Sequence, residues 1–206
     1  MDLIQKYFPE LSNEQLALFA QIEKLYPQWN EKINVVSRKD IDELNIRHVL
    51  HSLAITKYVK FKAGTSIIDV GTGGGFPGIP LAIYYPDCQF HLIDSIGKKI
   101  KVVQTIAEEL GLKNVKAQQI RSEAVQSKYD FVVSRAVTAF PQFVALTRHL
   151  VSDTNKNSVG NGILYLKGGD FDEEIKPFKK RISIVELSAY YNEAFFDTKK
   201  LIHLTL

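Results

Sequence analysis

From about residue 61 onward, short apolar runs alternate with segments whose apolar residues recur at helical spacing. That alternation predicts a parallel sheet with helices on both faces. The strand-like runs are 66–70, 90–94, 115–119, 129–134, 162–167, 181–190 and 199–206, and helix patterns fall at 77–85, 98–110 and 140–151, with a weaker one near 171–179. Gly111 is placed to cap the second of these helices. The last two strands read as a hairpin that closes six parallel strands. The polar run Ser152 to Asn161 reads as a flexible surface loop.

The first sixty residues carry no strand pattern and predict a helical extension, 1–60, on a compact unit, 61–206. Leu16, Phe19, Ala20, Ile22, Tyr26 and Trp29 include a helical apolar stripe, and a second helix is expected from Asp40 through Leu44, Arg47, His48 and His51 to Tyr58. Trp29 reads as a core anchor, and Arg47, His48 and His51 as solvated or core-satisfied side chains. Two histidines with no Cys or further His nearby predict no metal site.

With 45% hydrophobic residues in 206, the chain can bury one sizeable core. No apolar run approaches the roughly 18 residues of a spanning helix, and the opening residues lack a signal-peptide pattern, so a cytoplasmic location is expected. The single Cys88 reads as a packing residue. Lys and Arg exceed Asp and Glu by 26 to 23, a mildly basic balance that permits a nucleic-acid partner without requiring one.

Candidate chemistry concentrates in Ile67-Ile68-Asp69-Val70-Gly71-Thr72-Gly73-Gly74-Gly75-Phe76-Pro77-Gly78-Ile79-Pro80. A buried strand passes through a glycine loop into a helix whose first turn suits Pro77 and Pro80. Five glycines within eight residues let a ligand approach the main chain closely. The spacing also satisfies a dinucleotide fingerprint, so two cofactor classes compete. Asp69, two residues before Gly71, would repel a pyrophosphate but suits the ammonium and sulfonium of S-adenosylmethionine. Gly71, Gly73, Gly75 and Phe76 accordingly count as cofactor-binding candidates. Asp94 ends the second strand 23 positions after Gly71, where an acid can accept both ribose hydroxyls of an adenosine. Every later element is used in completing one sheet, which leaves no room for the separate catalytic domain that a dinucleotide oxidoreductase usually needs.

In open parallel sheets ligands bind at the carboxyl ends of the strands. There the third strand delivers Arg121, Ser122 and Glu123, with polar groups that can reach an adenine edge; the fourth delivers Ser134 and Arg135, and the fifth Lys167. Arg121, Arg135 and Lys167 are therefore expected to converge, and a polyanion is the simplest partner for such a cluster.

Several linked motifs now resemble one family over nearly the whole chain. They are Trp29-Asn30 with Asn34 and Ser37, a segment that runs on to Arg38; Arg47-His48 followed by Ser52; the glycine loop continuing into Phe76-Pro77-Gly78-Ile79-Pro80-Leu81; Leu92-Ile93-Asp94-Ser95 with Gly97-Lys98-Lys99; Ser134-Arg135-Ala136; and Leu166-Lys167-Gly168. The chain resembles the bacterial small-subunit (16S) ribosomal RNA guanine-N7 methyltransferases of the RsmG or GidB family. The continuation of the loop into Phe-Pro-Gly-Ile-Pro is the specific part. The resemblance implies a Rossmann-like α/β fold of the class I S-adenosylmethionine-dependent methyltransferases, with a seven-stranded, mostly parallel sheet. It implies that Gly71, Phe76, Ser122, Glu123 and Arg135 contact S-adenosylmethionine, and that Asn34, Arg121, Arg135 and Lys167 serve RNA binding or catalysis. Lys199 and Lys200 stand near a place where the family often has an Arg, so a bidentate contact would become a point-charge contact. The implied partner is 16S ribosomal RNA or the small subunit, met by a monomer away from any membrane. The competing readings are a small-molecule methyltransferase and a non-catalytic S-adenosylmethionine-binding protein.

Overall fold

A computed structural model describes residues 2–37, 40–135 and 137–206. Arg38 and Ala136 of the quoted motifs lie outside the described residues. The helices are α1 (Asp2–Tyr7), α2 (Asn13–Lys32), α3 (His51–Tyr58), α4 (Gly78–Tyr84), α5 (Gly97–Glu109), α6 (Phe140–Thr147) and α7 (Asp172–Ile175). The strands are β1 (Ser66–Val70), β2 (Gln89–Asp94), β3 (Val115–Gln119), β4 (Phe131–Arg135), β5 (Gly162–Gly168), β6 (Ile182–Glu186) and β7 (Lys199–Thr205).

These strands form one sheet in the order β3-β2-β1-β4-β5-β7-β6. The first five pair in parallel, and β7 runs antiparallel to both β5 and β6. The chain reverses its direction of travel across the sheet between β1 and β4, the switch point at which such sheets open a crevice. Successive residues of each buried strand serve opposite faces. Ile67, Val133 and Leu164 join an apolar cluster with α1 to α5, whereas Ile68, Val132 and Ile163 join one with α6 and α7.

The helical extension contributes to the first of these clusters directly. Phe8, Phe19, Ile22 and Tyr26 are buried in it beside Ile67, Ile79 and Leu92. Ser12 and Gln15 make a reciprocal capping box that starts α2, and Gln15 Nε2 also donates to the carbonyl of Ile83, tying α2 to α4. Trp29 packs on the same cluster at its edge, and Cys88 is buried as a packing residue.

Several boundaries differ from the periodicity. The helix expected from Asp40 to Tyr58 is divided into a 3-10 turn (Ile41–Glu43), a π-helical stretch (Asn45–Leu50) and α3. His51 through Thr56 are all buried, so no single amphipathic stripe governs α3, and the chain enters it through the wider π-helical stretch. The expected 181–190 strand stops at Glu186, because Leu187 turns inward to full burial and opens a 3-10 turn. The helix expected to reach residue 151 tightens into a 3-10 turn at Arg148–Leu150. The polar loop 152–161 is anchored rather than free. Asn157 Oδ1 accepts from the Lys62 N–H at 2.9 Å, and Asn161 Nδ2 donates to the carbonyls of Ser152 and Thr154, each at 2.9 Å.

Candidate active site

A cavity of about 430 Å³ opens at the carboxyl ends of β1 to β4. Its wall contains Val70 and Gly71 from the end of β1, Ile93, Asp94 and Ser95 from β2, and Ile120, Arg121, Ser122 and Glu123 from the segment after β3. Arg135 stands at the end of β4, followed by Val137 and Thr138, while Phe143, Leu146 and Thr147 of α6 and Lys99 of α5 close the sides.

The glycine loop owes its shape to the groups beneath it. The Gly71 and Thr72 N–H groups donate to the carbonyl of Ile93 at 2.9 and 3.0 Å, which bends the chain sharply out of β1. Gly75 adopts φ +95°, and a side chain there would meet Ile79 at 2.7 Å and the Tyr26 hydroxyl at 3.0 Å. At Gly74 the backbone of Val35 lies so close that a Cβ would stand 3.0 Å from the Val35 carbonyl. Tyr26 Oη donates to the Gly74 carbonyl at 2.6 Å.

Asp94 and the loop are joined directly. Its Oδ2 accepts from the Gly73 N–H at 3.0 Å and its Oδ1 from the Ile96 N–H at 2.9 Å. A carboxylate has about four acceptor sites, so each oxygen keeps capacity for one more donor from the cavity. Asp69, by contrast, is fully buried and does not line the cavity. Its Oδ2 accepts from Thr72 Oγ1 at 2.7 Å and from the Gly78 N–H at 2.9 Å, while its Oδ1 is buried with no hydrogen-bond partner. Burial raises its pKa to about 7, against the opposing pull of those two donors. The expectation that Asp69 meets the cationic end of a cofactor is therefore replaced by a place under the loop, clamping its start to the first turn of α4.

Arg135 is reached from several sides. Its Nη1 donates to the Arg47 carbonyl at 3.1 Å, its Nη2 donates to His48 Nδ1 at 2.8 Å, and its guanidinium lies 5.4 Å from the centre of the Phe76 ring. Burial lowers its pKa to about 10, which leaves it charged at neutral pH. Phe76 is itself buried between Tyr26 and His48, at centroid distances of 4.7 and 5.0 Å, so it supports Arg135 from below. Burial, and then the charges of Arg135 and Arg47, push the His48 pKa down to about 3. Arg47 pairs with Asp40 and Glu43.

The three expected cations do not form one cluster. Arg121 and Arg135 line the cavity, but Lys167 does not. Its Nζ is held by both oxygens of Glu174, at 2.7 and 2.6 Å, and Glu174 also accepts from the Phe140 N–H. The strand-end position of Lys167 is legible in the sequence, whereas the turn that returns a carboxylate from α7 to meet it is not. Asn34 is exposed on the segment that crosses the glycine loop, outside the cavity wall. Asn30 Oδ1 fixes that segment by accepting from the Val35 and Val36 N–H groups, both at 2.9 Å. Lys200 pairs with Glu186, and Lys199 lies over the Phe195 ring.

Ser122 and Glu123 are hydrogen-bonded to each other at 2.8 Å in the cavity wall, as their placement after β3 predicts. Sequence reasoning passed over the apolar part of the wall. Phe143, Leu146 and Thr147 share one face of α6 at the i, i+3, i+4 spacing, a signal indistinguishable from ordinary core packing. Val137 was equally silent, and it is half exposed beside the loop. Among the described residues no group of three or more His, Cys, Asp or Glu side chains is placed to hold a metal ion, and no helix is long and apolar enough to cross a membrane.

Comparison with known proteins bears on this arrangement. The family model described as rRNA small subunit methyltransferase G matches residues 13–202. A protein of that name from Flavobacterium psychrophilum is 57% identical over 206 residues, covering 100% of this chain and 98% of its own. One from Bacteroides fragilis is 48% identical over 206 residues and covers 100% of both. Among solved structures, an S-adenosylmethionine-dependent O-methyltransferase from Thermotoga maritima matches with a TM-score of 0.60 and 14% identity, over 81% of this chain and 70% of that one. An S-adenosylmethionine-dependent methyltransferase from Aquifex aeolicus matches with a TM-score of 0.56 and 16% identity, over 83% of this chain and 100% of that one. At such identities these two structures speak to the fold alone.

Proposed function

Since the chain belongs to the rRNA small subunit methyltransferase G family, we propose that it transfers a methyl group from S-adenosylmethionine to N7 of a specific guanine in 16S ribosomal RNA. The observation that carries this reading is the junction of the glycine loop with Asp94 in the wall of the strand-end cavity. The cavity volume falls in the range of small-molecule sites. Asp94 has acceptor sites left for two ribose hydroxyls, Ser122 and Glu123 offer polar atoms to an adenine edge, and Ile120, Phe143 and Leu146 offer apolar surface to its faces. Gly71 and Gly73 expose main chain to the rest of the cofactor, while Asp69, Gly75 and Phe76 act on it through the shape of the loop.

The bound cofactor supplies an electrophilic methyl carbon on sulfur. Guanine N7 carries a free lone pair, so the site needs no general base, and alignment is the residues' main task. Holding the reacting atoms in line can contribute on the order of 7–11 kcal/mol at best. Arg135, fixed by the Arg47 carbonyl and His48, is suited to orient the base or its phosphate. Arg121 sits exposed on the rim for the RNA backbone, and Asn34 for the nucleotide that crosses the glycine loop. Lys167 reaches substrate only by releasing Glu174. The base is expected to leave its stack to enter the crevice. The protein acts as a monomer in the cytoplasm on the small subunit or its RNA.

An enclosed apolar pocket would favour a small-molecule substrate, but the cavity wall here holds Lys99, Arg121 and Arg135. Small subunits from cells lacking this protein, incubated with labelled S-adenosylmethionine, should yield 7-methylguanosine on nucleoside analysis. Label in any other nucleoside, or none in particles and free RNA alike, overturns the reading.

A further inference from the structure

A second concavity, of about 450 Å³, lies on the other side of α6. Val144 faces it from the helix and Arg148 from the 3-10 turn that follows, whereas Phe143, Leu146 and Thr147 face the candidate active site. Its floor is apolar, with Leu204 and Leu206 from the end of β7 and Phe178, whose ring packs edge-on against Phe140 at 5.4 Å. Its walls are basic. Arg148 is joined there by Lys176, Lys179, Lys180 and Arg181, and no Asp or Glu side chain contributes to the lining.

The charges of this cleft are largely unspent within the protein. Lys176 pairs with Glu173, but among the described residues Arg148, Lys179, Lys180 and Arg181 form no ion pair, and all four are exposed. A chain with a formal charge of only +3 thus gathers five cations around one concavity. Like charges held together repel, and a polyanion relieves that repulsion by displacing their counterions. An apolar floor between basic walls suits the ribose and base surface that lies between phosphates. With side chains, a helix is about 10–12 Å across, so a short stretch of RNA leaving the active-site cavity over α6 reaches the cleft.

We propose that this cleft is a docking site for the phosphodiester backbone of the RNA substrate, separate from the catalytic cavity. The inference rests on ribosomal RNA being the substrate. It assigns to Arg148, Lys179, Lys180 and Arg181 a contribution to substrate capture and none to methyl transfer itself.

The test compares two variants of the full chain. One replaces Arg148, Lys179, Lys180 and Arg181 with Gln; the other removes equal charge elsewhere by replacing Lys60, Lys113, Lys116 and Lys128 with Gln. Binding to 16S ribosomal RNA is measured across a salt series, and steady-state transfer is measured on small subunits. If each cleft cation neutralises one phosphate, the first variant loses about 3 from the magnitude of the log–log salt slope, at roughly 0.7–0.9 per contact. Its KM for the particle should rise about tenfold or more, with kcat and S-adenosylhomocysteine affinity unchanged. An unchanged slope and KM, or equal losses in both variants, would overturn the cleft. Failure of the wild-type protein to methylate particles would instead count against the proposed function, and the RNA salt slopes would still decide whether the cleft binds RNA.

Discussion

Arg135 donates to His48 Nδ1 at 2.8 Å, and a guanidinium has no acceptor, so the imidazole must be neutral with its proton on Nε2. The burial that pushes His48 down to about 3 thus has a structural consequence, since a protonated ring could not receive Arg135. Replacing His48 with Ala removes the acceptor from a charged, largely desolvated donor, at a cost of about 1–3 kcal/mol. Methyl transfer should fall by roughly 5- to 150-fold if that energy holds Arg135 in its working position. His48→Asn, whose Oδ1 can accept, should recover part of the loss. Equal rates in both variants and the wild type would show that Arg135 is positioned without His48.

Stability should decline as the solution becomes acidic. His48, His51, His91 and His203 all have depressed pKa values, with burial the leading cause at each. Below their ordinary value of 6.5 the unfolded chain takes up protons that the native chain refuses. Their contribution is therefore present above about pH 6.5 and is lost as pH falls towards the His48 value of about 3. Asp69 works in the opposite direction. With its pKa raised from 3.8 to about 7, its native form holds a proton that the unfolded form releases, so its contribution falls as pH rises through that window. Four groups against one predict a lower urea midpoint at about pH 5 than at about pH 7.5. His51→Gln should flatten the dependence, and a midpoint that rises on acidification would mean that Asp69 dominates.

The clamp beneath the glycine loop is open to a gentler test. Thr72→Val keeps the branched shape but deletes the hydroxyl that donates to Asp69 Oδ2. With one donor left on a buried carboxyl, stability should drop by about 1–3 kcal/mol. If the loop is the cofactor's seat, calorimetry should show severalfold weaker binding of S-adenosylhomocysteine. Destabilisation with unchanged affinity would confine Asp69 and Thr72 to folding.

Lys167 separates stability from activity. Its pair with Glu174 is partly exposed, with side-chain exposures of 15% and 28%. Such a pair contributes about 0–1 kcal/mol. Lys167→Ala should therefore hardly move the denaturation midpoint, yet should lower transfer by about 100-fold or more if the ammonium orients the base or phosphate in the transition state. Glu174→Gln frees the ammonium and should leave transfer intact or raise it. Loss of activity in both variants alike would assign the pair to shaping α7.

What was readable in the sequence follows from periodicity and from strand ends. Alternation exposed all seven strands because five bury apolar residues and the outer strands β3 and β6 still half-bury theirs, and Gly71, Asp94 and Ser122 lie in the cavity wall because strand ends fix where a parallel sheet opens. The direction of a buried side chain was not readable. Asp69 is one residue from the cavity-lining Val70 and points to the opposite face, and no local pattern shows that Thr72 and Gly78 return to meet it. The partner of Lys167 was hidden for a similar reason, since a glycine turn and a one-turn helix intervene. The segment from Asp40 to Leu50 reads as one helix because 3-10 and π turns repeat apolar residues at spacings close to those of an α-helix.

Tyr26 is fully buried in the middle of α2, and its hydroxyl ends on the carbonyl of Gly74. The turn that would receive the cofactor is thereby braced by a side chain from 48 positions earlier. A truncated chain that starts at β1 would keep every strand and every glycine of the loop, yet that loop would lose its main support from outside the sheet. The smallest working version of this fold is thus set by a tyrosine in a helix that contributes nothing to the sheet itself.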